Sequence, residues 1–275
     1  MERQNLKVHS ILQDASARLD SVTQRPQHEA KILLAHTLNV EPIWLITHSN
    51  DEIDIKDSKR FDELVARREK YEPIEYITNS VSFYSDTFFI QKGALIPRPE
   101  TELLVDLVSR HITSNMSMVE VGVGSGALSI TLCKLHPDLK VIATDISVDA
   151  LEVAKRNVAL HNVANQITLI NTNMLDSVNK YFDIIVSNPP YIANSCKLEP
   201  NLDYEPSQAL YGGEVGDEFL LQLIDEAIKR EVKFLFCEMG YDQRESIKKY
   251  CNERSLHVSF YKDLSNLDRG FVIEF

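Results

Sequence analysis

From residue 118 onward, short apolar, β-branched runs alternate with amphipathic helical stretches, and this alternation constrains the fold more than any other feature of the chain. Strands are expected at 118–121, 141–144, 167–170, 183–187 and 234–237. Helices are expected from about 126, over 148–161, and along the stripe of Phe219, Leu220, Leu223, Ile224, Ala227 and Ile228. Strands joined through helices pair in parallel, so the pattern predicts an α/β fold, a Rossmann-like doubly wound sheet. After a last amphipathic helix, 258–261 and 270–275 lie close enough in sequence to add a terminal antiparallel pair.

The N-terminal part has a different period. Val8, Ile11, Leu12, Ala15 and Leu19 recur at helical spacing, as do Ala30, Leu33, Leu34 and Leu38, then Phe61, Leu64 and Val65, with Pro26, Pro42 and Pro73 as punctuation. Residues 1–75 contain no β-rich run and are expected to form a small all-helical domain that docks a substrate. Trp44 is expected to plug its core. Residues 76–97 change to aromatic and β-branched pieces, Tyr76-Ile77-Thr78, Val81-Ser82-Phe83-Tyr84 and Phe88-Phe89-Ile90, which predict a β-hairpin linker. Residues 98–275 then form the α/β domain, entered through a helix bearing Leu103, Leu104, Leu107 and Val108 with Pro99 near its first turn.

Three of only nine glycines fall within five residues, in Glu120-Val121-Gly122-Val123-Gly124-Ser125-Gly126-Ala127, after a strand and ahead of a helix. Glycine there permits a tight turn and a close ligand approach to the free N–H groups of the helix N-terminus. Nineteen residues after Gly126, Asp145 ends the second strand, where a carboxylate can accept both hydroxyl hydrogens of an adenosine ribose. Gly122-x-Gly124-x-x-Ala127 also satisfies a relaxed dinucleotide fingerprint. A methyl-donor site, a nicotinamide or flavin site and a purely structural turn all remain open on the loop alone. No phosphate-binding loop with its lysine and no Gly-x-Ser-x-Gly elbow is present, which argues against nucleotide hydrolysis and serine-hydrolase chemistry.

The segment Phe182-Asp183-Ile184-Ile185-Val186-Ser187-Asn188-Pro189-Pro190-Tyr191-Ile192 runs off the carboxyl end of the fourth strand, where open α/β sheets bind ligands. The two prolines hold Asn188 extended and leave the Pro189 carbonyl free to accept. Methylation of an amide or aromatic amine needs such acceptors, because the nitrogen lone pair is delocalised and its N–H is too weakly acidic to remove. The Asn188 side-chain oxygen and the Pro189 carbonyl can take the two N–H groups, aim the lone pair and stabilise charge developing on nitrogen. Tyr191 can stack on a flat target and exclude water. The competing reading, an Asn-Pro turn with Pro-Pro-Tyr as a surface ligand, supplies none of the chemistry that the glycine loop lacks.

Together these motifs resemble the class I S-adenosylmethionine methyltransferases, and among them the PrmC/HemK family of release factor glutamine N5-methyltransferases. The resemblance extends through Pro73-Ile74-Glu75-Tyr76-Ile77, Phe83-Tyr84, Leu95-Ile96-Pro97-Arg98-Pro99-Glu100-Thr101-Glu102, Tyr204-Glu205-Pro206, Ala209-Leu210, Gly212-Gly213, Lys262-Asp263-Leu264 and Asp268-Arg269, in that family's order. It implies a cytoplasmic, monomeric enzyme that uses S-adenosyl-L-methionine, with S-adenosyl-L-homocysteine as product. Its substrate would be the glutamine of the Gly-Gly-Gln (GGQ) loop of peptide chain release factors, methylated on the side-chain nitrogen. Carried across, the resemblance assigns cofactor binding to Glu120, Gly122, Val123, Gly124, Ser125, Gly126, Asp145, Ile146, Asn173, Met174 and Asn188. Asn188, Pro189 and Tyr191 would be catalytic, and Asn188, Pro189, Pro190, Tyr191, Arg98 and Glu100 would bind the substrate. Glu120 stands where many relatives have aspartate, keeping the charge at longer reach, and Asn173-Met174 departs from the family's acidic residue followed by a larger side chain. The expected reaction is a direct in-line methyl transfer with no covalent intermediate and no tuned general base.

Residues 193–214 form a connection with little periodicity, long enough to predict a lid, in which Glu199, Asp203 and Glu205 either shape the mouth of a site or are merely solvated.

Composition narrows the alternatives. A net charge of -12 repels the phosphate backbone, so nucleic acid is not the expected direct substrate, although an adenine-N6 methyltransferase would need the same two acceptors. A non-catalytic translation-factor binding module is the other reading kept open. No apolar run reaches the ~18 to 20 residues needed to span a bilayer, so no membrane partner is expected. Cys133, Cys196, Cys237 and Cys251 show no paired spacing and predict buried thiols in a reducing compartment. The eight histidines make no ligand spacing, and no metal is expected.

Overall fold

The computed structural model describes residues 6–275, so the first five positions of the expected helical segment lie outside the described residues. The chain divides into two compact units, Met1–Asn79 with Pro200–Tyr204, and Ser80–Glu199 with Glu205–Phe275.

The first unit is built on the helices Val8–Leu19, Pro26–Leu38 and Ile55–Arg68. Each turns one stripe inward, and Val8, Ile11, Ala15, Leu19, Ala30, Leu33, Leu34, Phe61 and Val65 share one core. Their ends follow local chemistry. Pro26 opens its helix, Asn39 closes it in the left-handed conformation, and the Asp54 side chain accepts from Lys56 N at 2.7 Å. A nearly buried ion pair, Arg68 Nε to Glu29 Oε2 at 2.6 Å, ties two of the helices together.

Three expectations are corrected here. Leu6–Lys7 pairs antiparallel with Glu52–Ile53, a two-residue ladder too short to leave a periodic signal. Tyr76, Ile77 and Thr78 belong to a short helix, Ile74–Thr78, rather than to a hairpin. Pro73 sets its start and Asn79, at φ 54°, its stop, while Tyr76 and Ile77 are buried, so tertiary packing overrides their strand propensity. Trp44 packs against the edge of the core but is only half-buried, and it stacks on His48 with ring centroids 4.0 Å apart, so it caps the core instead of plugging it.

The second unit carries a seven-stranded sheet in the order Val258–Lys262, Asp268–Glu274, Phe234–Glu238, Ile184–Ser187, Ser117–Val121, Lys140–Asp145, Ile167–Asn171. Asp268–Glu274 runs antiparallel to both its neighbours, and the remaining pairings are parallel. The doubly wound sheet with a terminal antiparallel pair is therefore present as expected. Chain order reverses at Ser117–Val121, which has Lys140–Asp145 on one side and Ile184–Ser187 on the other, so a crevice opens beyond their carboxyl ends. Val119, Phe182, Ile185, Leu220, Leu223, Leu235 and Phe271 fill the core on one face.

Ser80–Phe83 and Asp86–Phe89 form the hairpin. Its two turn residues, Tyr84 and Ser85, have φ of 51° and 66°, the left-handed pair of a type I′ turn that ordinarily calls for Asn-Gly. The helix Thr101–Ser109 compensates, because Tyr84 N donates to Glu102 Oε1 at 2.9 Å and Tyr84 OH to Asp106 Oδ1 at 2.7 Å. Cys133, Cys237 and Cys251 are buried, but Cys196 is exposed on the 193–214 connection, contrary to the expectation of four buried thiols.

Candidate active site

The strand Ser117–Val121 ends in a loop whose Gly122, Gly124 and Gly126 all have positive φ, at 76°, 53° and 83°. A side chain at any of these positions would strain the turn. Gly122 N and Val123 N both donate to the Thr144 carbonyl at 2.9 Å, and Gly124 N donates to Asp145 Oδ2 at 2.9 Å. The other Asp145 oxygen accepts from Ser147 N at 2.9 Å. Behind the loop, buried Asn157 donates to Ser125 O at 2.8 Å and to Phe89 O at 2.9 Å, and accepts from Phe89 N at 2.8 Å. This asparagine fixes the loop to the hairpin and went unassigned in the sequence, where its only mark is a polar residue on the buried side of a helix.

A cavity of about 360 Å³ opens over the loop. Of the residues expected to hold a cofactor, Glu120, Gly122, Val123, Gly124, Ser125, Asp145, Ile146, Asn173, Met174 and Asn188 line it, and Pro189 and Pro190 join them. Gly126 lies behind the wall, where an added Cβ would come 3.1 Å from Ile130 Cδ1, so its role is close packing. Thr101, Phe83, Leu95, Gln208, Tyr211 and Phe219 also line the cavity and were not assigned there from the sequence. Ile146 leaves an apolar side chain 62% exposed next to Asp145, a surface suited to a flat apolar ring.

The 193–214 connection supplies part of the wall through Pro206, Gln208, Ala209 and Tyr211. Ile192–Ala193 pairs in parallel with Tyr211–Gly213. That pairing requires glycine at 212, because a Cβ there would lie 2.4 Å from the Pro190 carbonyl oxygen. Glu205 is buried while Glu199 and Asp203 are exposed, which separates the three acids that the sequence left undecided.

Asn188 leaves the strand Ile184–Ser187 with its amide held from behind. Asn188 Nδ2 donates to Thr101 Oγ1 at 3.0 Å, and the Thr101 hydroxyl donates to Glu238 Oε2 at 2.8 Å. Tyr191 does not line the cavity; its hydroxyl donates to Glu238 Oε1 at 3.2 Å and its carbonyl accepts from Gln243 Nε2 at 2.9 Å. Arg98 and Glu100 also stand off the cavity. Arg98 is committed to Glu205, and Glu100 is the residue that precedes the helix Thr101–Ser109.

Burial dominates the electrostatics. It pushes the Glu120 carboxyl up to about 8, against hydrogen bonds from the Ser129 hydroxyl and backbone N–H that favour the ionised form. Burial therefore favours the neutral form of Glu120, and the Ser129 donors oppose it. Burial raises Asp145 as well, opposed by its backbone donors. It lifts Glu238 to about 7, and the Tyr191 phenol is also raised by burial and then by the Glu238 charge. Among the described residues no group of three or more His, Cys, Asp or Glu is placed to hold a metal ion, and no helix is long and apolar enough to cross a membrane.

Two family models match the chain, the PrmC N-terminal domain over residues 10–78 and the methyltransferase small domain over 99–202. The bifunctional methyltransferase of Rickettsia conorii is 36% identical, over 95% of this chain and 56% of that protein, so the chain spans little more than half the length of that relative. The release factor glutamine methyltransferase of Clostridium acetobutylicum is 32% identical over 96% of this chain and 94% of its own length. Among solved structures, the ribosomal protein L11 methylase of Lactobacillus delbrueckii subsp. bulgaricus superimposes with a TM-score of 0.50 and 25% identity, covering 70% of this chain and 89% of that one.

Proposed function

The chain belongs to the release factor glutamine methyltransferase family, and from that premise we propose that it transfers a methyl group from S-adenosyl-L-methionine to the side-chain nitrogen of the glutamine in the GGQ loop of peptide chain release factors. The observation that carries this reading is the convergence of Asn188 and Pro189 with the glycine loop and Asp145 on one cavity.

The residues present suit the cofactor. The Asp145 carboxylate would take the ribose hydroxyls, Ile146 and Met174 would flank the adenine, and the loop 122–126 would admit the methionine part close to backbone. When bound, S-adenosylmethionine supplies an electrophilic methyl group on a sulfonium centre. A cationic ligand beside Glu120 would favour its ionised form, since an adjacent opposite charge lowers a carboxyl pKa.

On the substrate side, the Asn188 side-chain oxygen and the Pro189 carbonyl would accept the two amide N–H groups. Both acceptors are preorganised, the first by Thr101 and the second by the Pro189-Pro190 backbone, so they stabilise positive charge on nitrogen with little reorganisation. The methylated nitrogen then loses its proton to water, and no protein base is assigned. An excess of acidic over basic groups, 41 against 29, disfavours a polyanionic substrate.

The test is the intact mass of an unmodified release factor after incubation with the protein and S-adenosylmethionine, followed by fragmentation across its GGQ loop. A gain of about 14 Da on that glutamine is expected. Methylation of adenine in a nucleic acid, with none on the release factor, would overturn the reading.

A further inference from the structure

We propose that Thr101 and Glu238 form a hydrogen-bond relay that sets which way the Asn188 amide faces, and that the relay serves methyl transfer only while Glu238 is ionised. The proposal deepens the function given above and rests on it for the kinetic part of its test.

A primary amide presents an oxygen on one side and an NH2 group on the other, and the two are nearly isosteric. For Asn188 to accept from a substrate amide, its NH2 must be directed away from the substrate by something that can only accept. Thr101 Oγ1 is in place for this at 3.0 Å from Asn188 Nδ2, but a hydroxyl both donates and accepts and cannot choose by itself. Glu238 chooses. An ionised carboxylate has no proton to give, so the Thr101 proton must point to Glu238 Oε2, 2.8 Å away, and the Thr101 lone pair is left facing Asn188. The Asn188 Nδ2 group meets that lone pair, and its oxygen turns to the opposite side. Tyr191 OH completes the arrangement as a second donor to the same carboxylate at 3.2 Å.

Protonation removes that constraint. A neutral Glu238 can donate to Thr101, which can then donate to Asn188, and the amide that satisfies this chain is flipped, with NH2 toward a substrate that itself needs acceptors. Two donors facing each other in a dry pocket leave both unpaired, a loss of the kind that strongly rejects a substrate. Glu238 titrates in a defined setting. Arg269 from the neighbouring strand favours its charge, as do the hydrogen bonds from Thr101 and Tyr191, while Glu100 opposes it. Tyr261, from the edge strand, also faces this cluster with a buried hydroxyl that has no hydrogen-bond partner among the described residues. Burial outweighs the favourable partners and places the midpoint at about 7, inside the working range of a cell extract.

Two measurements on the full-length protein test the relay. The first is kcat for glutamine methylation against pH. In the wild type it is expected to fall about tenfold for each pH unit below 7. Thr101→Val is expected to lower kcat at pH 8 by about 10- to 100-fold, with the cofactor Kd unchanged, and to abolish the low-pH limb. Thr101→Ser should restore both, and Glu238→Gln should be slow at every pH without a limb. The second needs no turnover. The side-chain NH2 resonances of Asn188, assigned by their loss in Asn188→Asp, should titrate with a midpoint near 7 in the wild type and stay constant in Glu238→Gln. Asn188 resonances indifferent to pH, or a Thr101→Val enzyme with wild-type kcat and an intact limb, would overturn the relay. Failure of the wild type to methylate the glutamine would instead remove the proposed substrate and leave the resonances to decide the relay.

Discussion

Glu205 lies 2.5 Å from Nη2 of Arg98 with its side chain only 1% exposed, and its second oxygen accepts from Ile96 N at 3.0 Å. One buried carboxylate therefore joins the far end of the 193–214 connection to the segment that leads into the Thr101 helix. Glu205→Ala leaves Arg98 and the Ile96 N–H unpaired and should cost about 3 kcal/mol of unfolding free energy, whereas Glu205→Gln, which still accepts from Ile96 but turns its NH2 group toward the partly exposed Arg98, should cost somewhat less. Urea denaturation of both variants measures this. Equal losses in the two would show that the ion pair carries the whole effect.

Asn188→Ala removes one of two preorganised acceptors while leaving the glycine loop and Asp145 intact. Turnover should fall by about 10² or more. Cofactor affinity, measured by calorimetry, should change by no more than a few-fold. Wild-type turnover at saturating cofactor would remove Asn188 from the reaction.

How much of this could be read from the sequence depends on the range of the interaction. The sheet was legible because strands such as Ser117–Val121 and Ile184–Ser187 are mostly apolar and alternate with striped helices. The glycine loop, Asp145 and the Asn188 segment were legible because each is a local backbone requirement at the end of a strand. What escaped was long-range pairing of polar groups. Thr101 sits 87 residues from Asn188, Glu205 sits 107 from Arg98, and Asn157 sits 68 from Phe89, and no periodicity links such partners. The helix at Ile74–Thr78 was missed for a related reason, since buried aromatic and β-branched residues suit either structure until packing decides.

Gly212→Ala would place a Cβ 2.4 Å from the Pro190 carbonyl oxygen and 2.6 Å from that of Gly216. Both are backbone atoms that cannot rotate away, so the strand Tyr211–Gly213 must shift. The expected cost is about 1 to 3 kcal/mol of stability, with kcat reduced more than cofactor affinity, because the displaced neighbour is Pro190 and not the glycine loop. Thermal unfolding and steady-state kinetics on the same preparation separate the two effects.

Glu120 should make the empty protein less stable in mild alkali. Its folded pKa, about 8, lies above its ordinary value of 4.5, so the folded state holds the proton more tightly than the unfolded chain does. Its contribution is complete below pH 4.5 and is lost as pH rises through about 8. Over that window its share should be roughly one kcal/mol per pH unit, or about 2 to 4 °C in Tm. Glu120→Gln, which stays neutral, should flatten the slope; calorimetric scans from pH 5 to about 9 without cofactor test this, and an unchanged slope would count against it.

The bonds from Gly122 and Val123 to the Thr144 carbonyl, and from Gly124 to Asp145, join groups of the protein itself. The conformational entropy of the glycine-rich turn is thus already lost during folding, and a ligand arriving at it meets a surface that needs no further ordering. Uptake should accordingly follow a single bimolecular phase whose observed rate rises linearly with ligand concentration, and a hyperbolic dependence would reveal a slow rearrangement that the loop itself does not require.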